Sequence, residues 1–254
     1  MSAPWGNVKF DYQGAAVLVT GGTSGLGAAI ASAYRNAGAN VTITGTRGST
    51  ADYDEDLSGY AYLQLDVEDR QNIDAVAASL PRLDILINNA GVLFHPLGID
   101  EMDPDVFERA LMIHLSSAQR MAVRCRDKLA RSTLPGGASV IGMGSLGSLF
   151  GMEVIPAYGT AKTGLLGLTR AFAVAWGKQN IRVNTVIVGT TWTRMTAPVL
   201  ADPDFSKEHL ARTPLGRHGM PDDISGVVLF LTSGAGAWIT GQSIAVDGSY
   251  TISG

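Results

Sequence analysis

Sulfur able to cross-link is almost missing from this chain. Cys125 is the single cysteine among 254 residues, so no internal disulfide can form and stability has to come from packing. That scarcity suits a reducing, cytoplasmic setting. Charge is sparse too, at 17% of residues, and it tilts acidic, with a net of -4 and a pI of about 5.5. Nucleic-acid binding needs a basic face, and this balance offers none. No apolar run reaches the roughly 18 residues that span a bilayer. Residues 1–14 lack the basic start and apolar stretch of a secretion signal. No metal site is read. What is abundant is apolar side chain, 46% of the chain, which is enough for a substantial core.

Short apolar runs alternate with helix-like stretches from end to end. Strands are expected at 15–20, 41–45, 60–66, 84–88, 139–143, 181–187 and 243–246, and helices at 25–37, 70–79, 104–131, 157–178 and 221–232. Most strand runs are continuously apolar rather than alternating, as in a sheet covered on both faces. Strands alternating with helices imply βαβ units and a parallel sheet. With no linker, repeat or low-complexity block, residues 1–254 read as one α/β domain. Residues 190–217 form the one long connection, expected to be a substrate lid with short helices.

The first strand runs into Thr20-Gly21-Gly22-Thr23-Ser24-Gly25-Leu26-Gly27, and a helix pattern follows at once. Glycines there let the backbone approach a pyrophosphate, and the helix N-terminus supplies unpaired N–H groups. Thr20, Gly21, Thr23, Ser24, Gly25, Leu26 and Gly27 are therefore cofactor candidates. The second strand ends in Gly45-Thr46-Arg47 without the carboxylate that would hold a ribose 2′-hydroxyl. Arg47, beside Thr46, could instead attract a 2′-phosphate, so NADP(H) is favoured over NAD(H). Asp66 and Val67, after the third strand, are placed to meet the adenine.

Tyr158 and Lys162 are four residues apart on an expected helix, and Ser145 lies thirteen before the tyrosine. Positions i and i+4 share a helix face. An ammonium beside a phenol favours its ionised form, so the tyrosine could exchange a proton with an alcohol or ketone while the serine holds the same oxygen.

With these motifs in order, the chain resembles the short-chain dehydrogenase/reductase family along nearly its whole length. The pattern Thr20-Gly21-x-x-x-Gly25-x-Gly27 is similar to that family's glycine motif, and Asn88-Asn89-Ala90-Gly91 to its sheet-stabilising motif. Ile181-Arg182-Val183-Asn184 resembles its sixth-strand signature, and 239–248 its last strand. The resemblance implies a doubly wound Rossmann fold with a seven-stranded parallel sheet, in homodimers or homotetramers. It implies Ser145, Tyr158 and Lys162 as catalytic residues. Asn89, Ala90, Gly91, Tyr158 and Thr191 would line the cofactor site, Lys162 would bind the nicotinamide ribose, and Gly189 and Thr193 would meet the carboxamide. Three positions depart from the family pattern. His114 stands where an asparagine usually holds a water linked to the lysine, Val188 precedes Gly189 in place of proline, and Gly142 replaces an asparagine before the serine. His114 is expected either to serve that water relay or to be a hydrogen-bonded structural residue.

For the substrate, Phe94, Leu146, Phe150, Met152, Val154, Ile155, Trp192 and Met195 are candidate lining residues. Nearly all are apolar, which suits a bulky, uncharged, cyclic or aryl ketone and its secondary alcohol. The basic run Arg120, Arg124, Arg126, Lys128, Arg131 leaves room for docking of an acidic acyl carrier protein, hence a 3-oxoacyl reductase activity, or is a solvated face. The intact Ser145, Tyr158 and Lys162 disfavour a cofactor-sensing regulator without turnover. The length disfavours a dehydratase or epimerase, and the tyrosine–lysine spacing disfavours enoyl reduction. The helix 157–178 is apolar around much of its circumference. It is expected to pair with 104–131 across a dimer interface.

Overall fold

The computed structural model describes residues 8–253, so the first half of the 1–14 segment read above for a leader lies outside the described residues. Seven strands form one fully parallel sheet: β1 Ala16–Val19, β2 Asn40–Gly45, β3 Ala61–Gln64, β4 Ile85–Asn88, β5 Ala138–Ser145, β6 Ile181–Val188 and β7 Ser243–Val246. Their order is β3-β2-β1-β4-β5-β6-β7. The order reverses between β1 and β4, and ligands of such sheets bind at the carboxyl ends of strands beside that point.

The alternation of each strand sorts its side chains between two cores. Val17 and Val19 of β1, Ile85 and Ile87 of β4, and Ile141 and Met143 of β5 pack with Ile30 and Tyr34 of α1 (Gly25–Asn36) on one face. Val228 and Leu229, which belong to the last helix, close that face. Leu18, Leu86 and Val140, one register position away, point to the other face. There they meet Ile73 and Val76 of α2 (Arg70–Ser79), followed by Met121, Cys125 and Trp176. Both faces are buried, so the strands had to read as continuous apolar runs.

The expected helix 104–131 is not one regular helix. It is α3 (Pro104–Leu111), a π-helical turn over Met112–Ser116, and α4 (Ser117–Leu129). Apolar spacing alone does not reveal one extra residue in a turn. The long helix is α5 (Pro156–Trp176). Strands β5 and β6 outrun expectation, pairing as far as Ser145 against Val188. Gly144 and Ser145 carry no apolar side chain, so only backbone register reveals that extension. Residues 190–217 hold two short helices, α6 (Ala197–Leu200) and α7 (Pro203–Ala211), and α8 (Pro221–Thr232) follows. The base of this excursion is tied where Gly219 N donates to the Thr190 carbonyl and Trp192 N to the Gly219 carbonyl, both at 2.9 Å.

The sixth-strand motif has a structural job. Arg182, 5% exposed, donates from Nε to the Gly136 carbonyl at 2.9 Å and from a terminal nitrogen to the Leu231 carbonyl at the end of α8. Asn184 bonds the Ile239 carbonyl and the Gln242 N–H, anchoring the segment that leads into β7.

Candidate active site

The glycine loop follows β1 and ends at α1. Ser24 at the N-cap makes no side-chain capping bond, and the first turn of α1 holds no acidic residue, so its amide ends are open to an anion. Gly25 has φ of 57°, and a Cβ there would meet nothing within 4 Å except Thr193. The loop and Thr193 thus face each other across a gap that any side chain at position 25 would begin to fill. Thr20 pins the opposite wall: its Oγ1 accepts from Asn89 N and Ala90 N, both at 3.0 Å, while Asn89 Nδ2 donates to the Thr20 carbonyl at 2.9 Å. A bound dinucleotide fits this cradle.

At the end of β2, Thr46 and Arg47 are exposed. The Arg47 guanidinium lies 4.8 Å from the centroid of the Tyr53 ring, and Arg47 makes no ion pair among the described residues. Tyr53 also accepts from Arg47 N at 3.0 Å. The sequence reading missed this tyrosine, because nothing local ties it to a loop six residues earlier. Asp66 accepts from Glu68 N at 2.9 Å in the turn after β3, beside the half-buried Val67.

Ser145 ends β5, and Tyr158 and Lys162 rise from the first turns of α5 on one face, as the spacing requires. The Lys162 Nζ is 5.5 Å from the centroid of the Tyr158 ring and donates to the Met143 carbonyl at 2.7 Å. Lys162 is 5% exposed, and burial lowers its pKa to about 8. The lysine is expected to make the phenol more acidic, and burial acts in the opposite direction. Burial raises the Tyr158 pKa above the ordinary phenol value; the Ser145 hydroxyl opposes that as a hydrogen-bond partner and the Glu101 charge adds to it.

His114 sits in the π turn, 3% exposed, with its ring edge-on to Tyr158 at 5.0 Å between centroids. Its Nε2 is 2.9 Å from the Val92 carbonyl, which can only accept. The proton is therefore on Nε2, leaving Nδ1 as an acceptor with no partner among the described residues. Burial first, then the Lys162 charge, push its pKa down to about 3, so the ring is neutral at physiological pH. A small cavity lies between His114, Lys162, Thr20, Asn88 and Ala90.

Among the substrate candidates, Leu146 is buried, Phe150 stands edge-on to Tyr250 at 6.0 Å, and Trp192 and Met195 are 40% and 42% exposed. Phe94 is corrected: at 2% exposed it packs with Ala110, Ile113 and Ala157 in a satellite core, capped by the Arg109 guanidinium, and has no surface left for a ligand. Four members of the basic run have partners within the subunit. Arg120 and Arg124 both bind Asp74 of α2, holding that carboxyl down to about 2, Arg126 pairs with Asp127, and Lys128 donates to the Ala77 carbonyl. Gly189, Thr191 and Thr193 follow β6, with Thr191 Oγ1 donating to the Gly189 carbonyl at 2.9 Å.

Residues 21–251 match the family model described as enoyl-(acyl carrier protein) reductase. D-threitol dehydrogenase of Mycolicibacterium smegmatis is 33% identical, over 97% of this chain and 97% of its own length. The 2-dehydro-3-deoxy-D-gluconate 5-dehydrogenase of Dickeya dadantii is 32% identical, over 95% of this chain and 97% of its own. A Beutenbergia cavernae structure, described as a candidate NAD(P)-dependent gluconate 5-dehydrogenase with NADP at low occupancy, matches with a TM-score of 0.86. It is 30% identical and covers 97% of this chain and 100% of that one. Matches that span the sheet, the glycine loop and the tyrosine helix together make this chain a member of the short-chain dehydrogenase/reductase family.

Proposed function

We propose that the protein is an NADP(H)-dependent oxidoreductase that interconverts a ketone and its secondary alcohol, with Tyr158 as the general acid and base. One observation carries this reading: Ser145, Tyr158 and Lys162 converge at the carboxyl edge of the sheet, beside the cradle formed by the glycine loop and Asn89-Ala90-Gly91. When bound, the nicotinamide supplies or accepts the hydride. Thr20–Gly27 and the α1 N-terminus take the pyrophosphate, Thr46 and Arg47 the 2′-phosphate, Asp66 and Val67 the adenine, and Gly189, Thr191 and Thr193 the carboxamide. NAD(H) is the alternative cofactor; the bound NADP of the Beutenbergia cavernae protein and the exposed, unpaired Arg47 support NADP(H).

The burial that raises the Tyr158 pKa keeps the phenol protonated at neutral pH, the form that donates to a carbonyl oxygen. Ser145 holds that oxygen in place. Lys162 contacts the ribose and keeps positive charge near the phenol. His114, neutral and with a free Nδ1 lone pair, accepts from a water in the cavity it shares with Lys162, the role asparagine serves elsewhere in the family. Residues 190–217 act as the lid.

Phe150, Trp192 and Met195 favour a bulky cyclic or aryl ketone, with Leu146 buried. A polyol or sugar acid is the second reading, favoured by the activities named for the relatives. A panel of both classes, followed at about 340 nm where reduced nicotinamide absorbs, separates them. Turnover of sugar acids alone would reject the first. Self-association as a homodimer or homotetramer is supported by Val174 on α5, 86% exposed, and by the fully exposed Trp238. Leu165, Leu166 and Trp176 of α5 are spent inside the subunit, leaving Gly167, Ala171 and Val174 outward. A monomer on size exclusion would reject it. A cytoplasmic location fits the single buried thiol, and among the described residues no helix is long and apolar enough to cross a membrane.

A further inference from the structure

We propose that Glu101 is a positioning residue for Tyr158: its buried carboxylate caps the first turn of α5 from another segment of the chain and fixes where the catalytic hydroxyl stands. This rests on the reading of Tyr158 as the general acid.

Helix α5 cannot cap itself. Its N-cap is Ile155, whose side chain makes no capping bond, Pro156 has no N–H to offer, and no acidic residue lies in the first turn. Tyr158 is the third residue of the helix, and its N–H would be left without a partner. Glu101, fifty-seven residues earlier in the connection between β4 and α3, accepts it through Oε2 at 2.8 Å. The bond runs from the backbone of the reacting residue to a carboxylate that is 2% exposed. The second oxygen, Oε1, is buried with no hydrogen-bond partner among the described residues. Burying a carboxylate with one oxygen unpaired costs stability. A serine or threonine at position 155 would satisfy the same N–H far more cheaply. The expensive arrangement does something a local cap cannot: it ties the loop that carries Val92, the partner of His114, to the helix that carries Tyr158 and Lys162.

It also sets charge. The polar and charged groups facing the Tyr158 ring are Ser145 from the end of β5, His114 from the π turn, Lys162 from the same helix, and Glu101. Glu101 is the one acidic side chain among them, and its charge raises the Tyr158 pKa. Placement of the hydroxyl and retention of its proton come from one side chain.

Two variants test this. Glu101→Gln keeps an acceptor for Tyr158 N and removes the charge; Glu101→Ala removes both. The first measurement is the titration of Tyr158 by NMR of protein labelled at the tyrosine ζ carbon, with and without saturating NADP+, its resonance identified by its loss in Tyr158→Phe. The midpoint is expected to fall by about one pH unit in Glu101→Gln. The second is kinetic: Glu101→Ala loses about tenfold in kcat with the cofactor KM unchanged, and Glu101→Gln recovers most of it. An unchanged midpoint in Glu101→Gln overturns the proposal, as does an Ala variant with wild-type kcat. Should the Ala variant not fold, the Gln titration decides alone. Failure of the parent reading looks different: the wild-type protein would turn over no carbonyl compound, while the cofactor-free titration would still report on Glu101.

Discussion

Gly91 and His114 share a space that holds only one of them with a side chain. A Cβ on Gly91 would stand 2.7 Å from Cε1 and 2.8 Å from Nδ1 of the His114 ring. The glycine that ends the Asn-Asn-Ala-Gly motif thus makes room for the residue that departs from the family pattern. Gly91→Ala should displace the ring, cost about 1–3 kcal/mol as overpacking, and lower turnover. His114→Asn should relieve it, because asparagine is shorter. A denaturant-melt and kcat cycle over the two single variants and the double variant checks this; additive losses would show that the two do not compete.

Tyr158→Phe should reduce kcat by about two to four orders of magnitude, the range of a lost general acid. Cofactor affinity should survive, because no cofactor contact is assigned to the hydroxyl alone. Fluorescence titration of NADPH with steady-state rates separates the two effects. A variant that keeps most of its kcat would remove the tyrosine from the chemistry.

Arg47 has its guanidinium on the Tyr53 ring and no ion partner among the described residues. Loss of charge-assisted hydrogen bonds to a 2′-phosphate costs about 1.5–3 kcal/mol. Arg47→Ala should therefore lower kcat/KM with NADPH by roughly 10- to 150-fold and leave NADH unchanged. A wild-type preference for NADH would reject the cofactor assignment itself.

Lys162 supplies a pH dependence whose sign follows from its burial. Its pKa is lowered to about 8, so the ammonium is present below that pH and is lost as pH rises through it. Affinity for NADPH should be level from pH 6.5 to about 7.5 and weaken above about 8. Lys162→Met should bind more weakly at neutral pH and show no such fall. The same depressed pKa means the unfolded chain holds the lysine proton more tightly. Between about 8 and the ordinary lysine value near 10.5, this group's contribution to stability therefore rises with pH.

Much of the site could be read along the chain. Thr20–Gly27, the Asn88–Gly91 motif and the Tyr158–Lys162 pair depend on neighbours within a few residues, and a turn or a helix face puts such residues together whatever surrounds them. Less legible was what each group would face. Phe94 looked like a pocket residue until Ala110, Ile113 and Ala157 enclosed it. The arginines of α4 read as a basic run without partners, and Asp74, forty-six and fifty residues away in sequence, pairs with two of them. Glu101 sat unnoticed in an acidic stretch, because an orphan N–H on α5 cannot be seen from position 101.

The amino-acid sequence by itself determined the doubly wound sheet, the glycine loop and the three residues of the proposed proton-transfer site. Each is written in a local period or spacing that strand alternation and helical pitch convert directly into geometry. Only the tertiary structure decided the tautomer of His114, the raised pKa of Tyr158, the pairing of the α4 arginines with Asp74 and the remote cap on α5. Burial and partners from distant segments set those properties, and no local pattern encodes which distant carbonyl, carboxylate or ring will arrive.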